Sequence, residues 1–150
     1  MNDWLEEKRM PYDYREKKIV IVLNAKLEMG VALNVAAHLS MALGFHATEH
    51  MGRSILMDAS GNEHLGISKY PIIITKVRAG KLKSSLAEAK MIEELLVVDY
   101  PSVMYTTGHD DELAQELQKQ TEEEIEYFGY ILFGESDAVD NISGKFSLWK

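Results

Sequence analysis

The stretch IVIVLNAKLEMGVALNVAAHLSMAL, residues 19–43, decides how this chain folds. Ile19, Val20, Ile21, Val22 and Leu23 form a continuous apolar run rich in β-branched side chains. No polar residue alternates with them, so both faces of the strand need cover. That pattern marks an inner strand of a helix-covered sheet. From Val31 the spacing turns helical. Val31, Val35 and Leu39 recur every fourth residue and are predicted to face the sheet, with Ala32 and Ala36 beside them for close contact. Gly44 stands where a left-handed residue would end the helix.

A helix that begins just past the C-terminal end of a strand leaves free N–H groups and a positive dipole end there. In open α/β sheets ligands settle in that crevice. Asn24, Lys26 and Gly30 fall within it, and Asn34 and His38 lie four apart on one helix side. These five are the candidate ligand-binding residues. Asn24 and Asn34 offer hydrogen bonds, Lys26 and the Gly30 helix start favour an anionic group, and His38 offers a ring that gives or takes a proton. The plainer reading makes the Asn34–His38 pair ordinary helix surface and Lys26 a solvated side chain.

Working outward, 150 residues suit one domain with a sizeable core, and 46% hydrophobic with 27% charged residues is ordinary globular composition. No apolar run suggests a membrane span, and the first ten residues, MNDWLEEKRM, lack the apolar core of a signal peptide. There is no cysteine, hence no disulfide framework and no thiolate metal site. A cytoplasmic setting is expected. His46, His50 and His64 lack supporting ligand spacing, so no metal is expected, and no motif calls for a cofactor.

The formal net charge is −8, unevenly spread. Residues 1–108 balance 13 acids against 13 Lys and Arg, while residues 109–127 hold eight acids against Lys119 alone. Such a run reads as a solvated helix face and argues against nucleic-acid binding there.

The coarse reading along the chain is a leader over 1–16 and a single domain over 17–150. The leader carries Trp4, Tyr12 and Tyr14, which seek a docking surface. Strands are predicted near 18–23, 54–58, 70–76, 95–99, 127–133 and 145–149 in one mixed sheet, the last two strands as an antiparallel pair. Helices are predicted near 30–43, 80–94 and 110–123, with a turn over 59–62 and a turn or single helical turn over 137–143. Alternating strands and helices make a three-layer α/β/α sandwich the economical architecture.

Two stretches carry a family resemblance. KLEMGVALNVAAHLSMA resembles the loop and first helix of type II peptidyl-tRNA hydrolases, with counterparts for Leu27, Met29, Gly30 and Ala36. YILFGESDAVDNISGKFSLWK resembles the end of the same fold, through Gly134, Asp140, Ile142, Ser143 and Gly144. The pattern from Leu23-Asn24 to Leu39 is closer still to an uncharacterised bacterial domain-of-unknown-function family, the two-thousandth so numbered, which shares the hydrolase fold. The resemblance spans residues 17–150 and implies a type II peptidyl-tRNA hydrolase-like sheet, often dimeric. It departs at the chemistry. The hydrolase carries a lysine where this chain has Val31 and a glutamine near Ala37-His38, and its Asp-Ala-Gly-Xaa-Thr segment has no counterpart in residues 100–127. The functional expectation is therefore a small-molecule ligand at Asn24–His38. The alternatives are a self-associating interaction module, with a homodimer expected, and a hydrolase.

Overall fold

A computed structural model describes residues 12–150. In chain order the elements are β1 (Lys17–Asn24), α1 (Met29–His46), β2 (Ile55–Met57), β3 (Glu63–Leu65), β4 (Ile72–Val77), α2 (Ala79–Lys90), β5 (Leu96–Pro101), α3 (Asp110–Gln118), β6 (Tyr127–Glu135), α4 (Ser136–Ser143) and β7 (Ser147–Leu148), with 3-10 turns at Thr48–His50 and Ser102–Tyr105.

β1 is the buried centre, and Ile19 through Leu23 are all buried. Ile19, Ile21 and Leu23 share one core with Ala32, Val35, Leu39 and Leu43 of α1. Val20 and Val22 share a second core with Leu82 and Leu86 of α2 and Val139 and Ile142 of α4. Helices therefore cover both faces, as an unbroken apolar strand requires. The sheet order is β5-β6-β1-β4-β7. β1 and β4 are parallel, β6 lies antiparallel between β1 and β5, and β7 pairs antiparallel with β4. The result is a mixed α/β sheet with four helices.

Gly129 permits the tight seating of β6 beside β1. A Cβ there would lie 2.7 Å from the Val22 carbonyl oxygen and 2.8 Å from Leu23 Cδ2.

Four expectations are corrected. The strand near 54–58 does not join the main sheet, because β2 pairs only with β3 in a separate two-stranded arm. Three residues with Leu56 and Met57 exposed offer no second face to bury. The last strand does not pair with β6. Residues 136–143 fold as a full helix that buries Val139 and Ile142, and this carries the chain to the free edge of β4. Gly44 does not end α1, which runs on to His46. Gly61 is the one described residue with positive φ, +86°, in the arm's turn. The acidic helix stops at Gln118 rather than 123, and the Glu124 carboxylate then accepts the Thr121 N–H at 2.8 Å.

Trp4 lies outside the described residues. Tyr12 packs edge-on to Tyr70 at 6.5 Å, with the Lys69 ammonium 4.7 Å from its ring centre.

Candidate functional site

β1, β4 and β5 point their carboxyl ends to the same edge of the sheet, since β6 opposes both β1 and β5. At that edge Asn24 builds the turn into α1. Its Oδ1 accepts the Lys26 N–H at 3.0 Å, its carbonyl accepts the Leu27 N–H at 3.1 Å, and Ala25 N–H donates to the Val77 carbonyl at 2.8 Å. The first hydrogen bond of α1 runs from Ala32 N–H to the Glu28 carbonyl at 2.9 Å. No side chain caps this helix, and Glu28 occupies its N-cap position. Asn24 is thus partly committed to backbone, and a carboxylate rather than a cation stands at the helix start.

Lys26, Gly30, Asn34 and His38 are all exposed. Asn34 and His38 sit one turn apart, on the flank of α1 nearest β5. The His38 ring meets Tyr100 edge-on, with centroids 6.1 Å apart. Tyr100 stacks nearly parallel on Phe128 at 6.1 Å and 7°, and Phe128 meets Tyr105 at 6.0 Å. Burial, then the neighbouring Tyr105, pushes the Tyr100 hydroxyl upward. In the row His38–Tyr100–Phe128–Tyr105, Tyr100 is buried and Tyr105 is half open to solvent.

The structure therefore joins His38 to three aromatic residues that sequence reasoning did not select. Tyr100 and Phe128 approach through β5–β6 pairing, where Tyr100 stands opposite Gly129. Only the Tyr-Pro and Phe-Gly pairs at 100–101 and 128–129 hint at it.

A cavity of about 440 Å³ lies at the opposite edge, lined among others by Lys17, His46, Glu49, Glu94, Phe133 and Glu135. Its one lysine is already paired, Lys17 Nζ to Glu49 Oε1 at 3.2 Å. Burial pulls Lys17 down, but the Glu49 carboxylate outweighs this and the net shift is upward. The aromatic row stands at the carboxyl edge of the sheet, where open α/β sheets hold ligands.

His46 and His50 part company. His46 stacks edge-on with Phe45 at 5.1 Å, whereas His50 is buried against Phe133 at 6.3 Å with neither ring nitrogen bonded to a described residue. Among the described residues no three His, Asp or Glu side chains are grouped to hold a metal ion.

Residues 17–150 match the family model described as protein of unknown function, DUF2000. The chain belongs to the DUF2000 family. A solved structure described as a protein of unknown function, Atu0240, from Agrobacterium tumefaciens strain C58 aligns with this DUF2000 chain at a TM-score of 0.79. The two are 23% identical, over 90% of this chain and 98% of that one. At that identity the similarity shows a shared fold alone. No curated protein matches this DUF2000 chain.

Proposed function

We propose that this protein binds a small, flat organic molecule on the ledge of Tyr100, Phe128 and Tyr105, with Asn34 and His38 supplying hydrogen bonds at its rim. The observation that carries this reading is the aromatic row set against His38 at the carboxyl ends of β1 and β5. A ring stacked on the half-exposed Tyr105 gains about 1 kcal/mol beyond its buried area, with Phe128 and Tyr100 backing it. The imidazole and the amide both donate and accept, so they read the edge of a heteroaromatic ring. Glu28 at the N-cap weakens the helix start as an anion site, which favours a neutral ring over a phosphate-like group. The cysteine-free chain suits a reducing, cytoplasmic setting.

The reading excludes peptidyl-tRNA hydrolysis. Val31 is packed against the core where the resembling hydrolases carry a lysine, and residues 109–127 set eight carboxylates against one lysine. Saturation-transfer NMR with indole and adenine as probes tests the binding. Transfer to the probe ring protons is expected, cut severalfold by Tyr105→Ala and by His38→Ala and unchanged by Met91→Ala. No transfer, or transfer insensitive to Tyr105→Ala, overturns the reading. Incubation with a peptidyl-tRNA substrate is expected to release tRNA no faster than buffer does, and turnover abolished by His38→Ala would restore the hydrolase.

A further inference from the structure

α1 carries no Asp, Glu, Lys or Arg anywhere in its 18 residues. The fold buries one side of it, through Ala32, Val35, Leu39 and Leu43. The other side is uncharged and faces outward, with Met29 58%, Leu33 63%, Met41 79% and Phe45 82% exposed beside the exposed polar Asn34, His38 and Ser40. A helix that is apolar all round belongs in an interior, so the outward side lacks its cover. Between those large side chains runs a line of small residues at seven-residue spacing, Gly30, Ala37 and Gly44. The chain's own packing does not call for these glycines. A Cβ at Gly30 would meet nothing within 4 Å, and one at Gly44 only His50 Nε2 at 3.9 Å. Glycine within a helix costs up to about 1 kcal/mol against alanine, and close approach of another helix accounts for it.

We propose that the outward face of α1 is a self-association surface, packed against the same face of a second copy about a twofold axis near Ala37. Charge selects this occupant. Each copy carries −8, so two copies approach closely only across an uncharged face, and α1 is one. A twofold contact uses the same patch twice, which suits an apolar face with no charge pattern to complement. Ala37 is at the middle of α1, so an antiparallel crossing there sets Leu33 across from the other copy's Met41 and brings the small residues Gly30 and Gly44 of the two copies together. The four large side chains with the small residues between them present on the order of 600 Å², near the roughly 800 Å² per partner of a standard interface. A lipid surface fits less well. Asn34 and His38 interrupt the helix midway, and Glu28 and Glu49 flank it where membrane-bound helices carry Lys and Arg.

Light scattering on the full chain at about 50 μM, within the micromolar range of ordinary interfaces, should return twice the 17.0 kDa chain mass. Leu33→Glu and Met41→Glu should each weaken association on the order of 100-fold by setting a charge in an apolar contact, with unchanged circular dichroism, whereas Met91→Glu should leave the mass doubled. Because the chain has no cysteine, Ala37→Cys gives a second readout that needs no destabilising change. A mild copper–phenanthroline oxidant should join two such thiols into one disulfide, and a Met91→Cys chain should stay uncrosslinked. A wild-type monomer at that concentration, a doubled mass that survives both glutamate variants, or a monomer that floats with phosphatidylcholine vesicles overturns the proposal. The indole and adenine probes report ring binding at the aromatic ledge by a separate readout from the mass and the crosslink.

Discussion

At the scale of single residues, two positions show what packing demands. Gly129 lies under the Val22 carbonyl, 2.7 Å from where a Cβ would stand, and backbone on both strands is tied into the ladder and cannot shift cheaply. Gly129→Ala is expected to cost about 2 kcal/mol, as overpacking does, read as a fall in the urea midpoint without change in slope. An unchanged midpoint would show that β1 and β6 separate more easily than their pairing implies. Tyr130 is fully buried, shares a 2.7 Å hydrogen bond with Ser85, and burial pushes its hydroxyl up to about 12. Its folded value lies above the ordinary 10.0, so its contribution is whole below pH 10.0 and is lost as pH rises through about 12. Absorbance titration should therefore show Tyr130 ionising only together with unfolding. A Tyr130→Phe chain that unfolds at the same alkaline pH would contradict this.

At the scale of elements, the β2–β3 arm is held by its turn rather than by a core. The Asp58 carboxylate accepts N–H groups of Ser60 at 2.8 Å and Asn62 at 2.9 Å, takes the Asn62 side-chain amide at 3.0 Å, and faces His64 Nε2 at 3.2 Å. The Asn62 backbone bond, then these other contacts, hold its carboxyl at about 2, below the ordinary 3.8. A carboxyl lowered by folding contributes stability above 3.8 that is lost as pH falls through about 2. The arm should then lose its amide dispersion across that window while β1 keeps its own, as NMR spectra at stepped pH will show. Asp58→Asn should abolish the pH step, and an arm still ordered below pH 2 would refute the account. The separate arm was hard to read from sequence, since Ser54 to Asp58 looks like any short strand. What excluded it from the sheet was β7, which takes the free edge of β4 after α4 has redirected the chain.

At the scale of the molecule, the charge is lopsided. Residues 109–127 lean on the body through few polar ties, among them Lys83 Nζ donating to the carbonyls of Glu123 at 2.7 Å and Ile125 at 2.9 Å. Self-repulsion along this segment works against the fold and is screened by salt. Raising sodium chloride from about 20 to about 500 mM shortens the Debye length from roughly 20 to 4 Å. The melting temperature should rise by roughly 2–5 °C. A fall would mean that exposed pairs such as Lys17–Glu49 and Lys18–Asp140, at 3.2 and 2.8 Å, outweigh the repulsion.

What the sequence determined by itself is the layered core. An unbroken β-branched run needs cover on both faces, and the four-residue spacing of Val31, Val35 and Leu39 supplies one cover, because periodicity is a local property. Asn24, Lys26 and Gly30 follow the end of β1 directly, and Asn34 and His38 share one side of the helix, because these too are local properties of the chain. Tertiary structure alone decided which strand took which edge, and which rings met His38. Tyr100 is distant from His38 in sequence yet meets its ring, and β5–β6 pairing adds Phe128 and, through it, Tyr105 to the row. Pairing of that kind depends on long-range register, and no local spacing of residues encodes it.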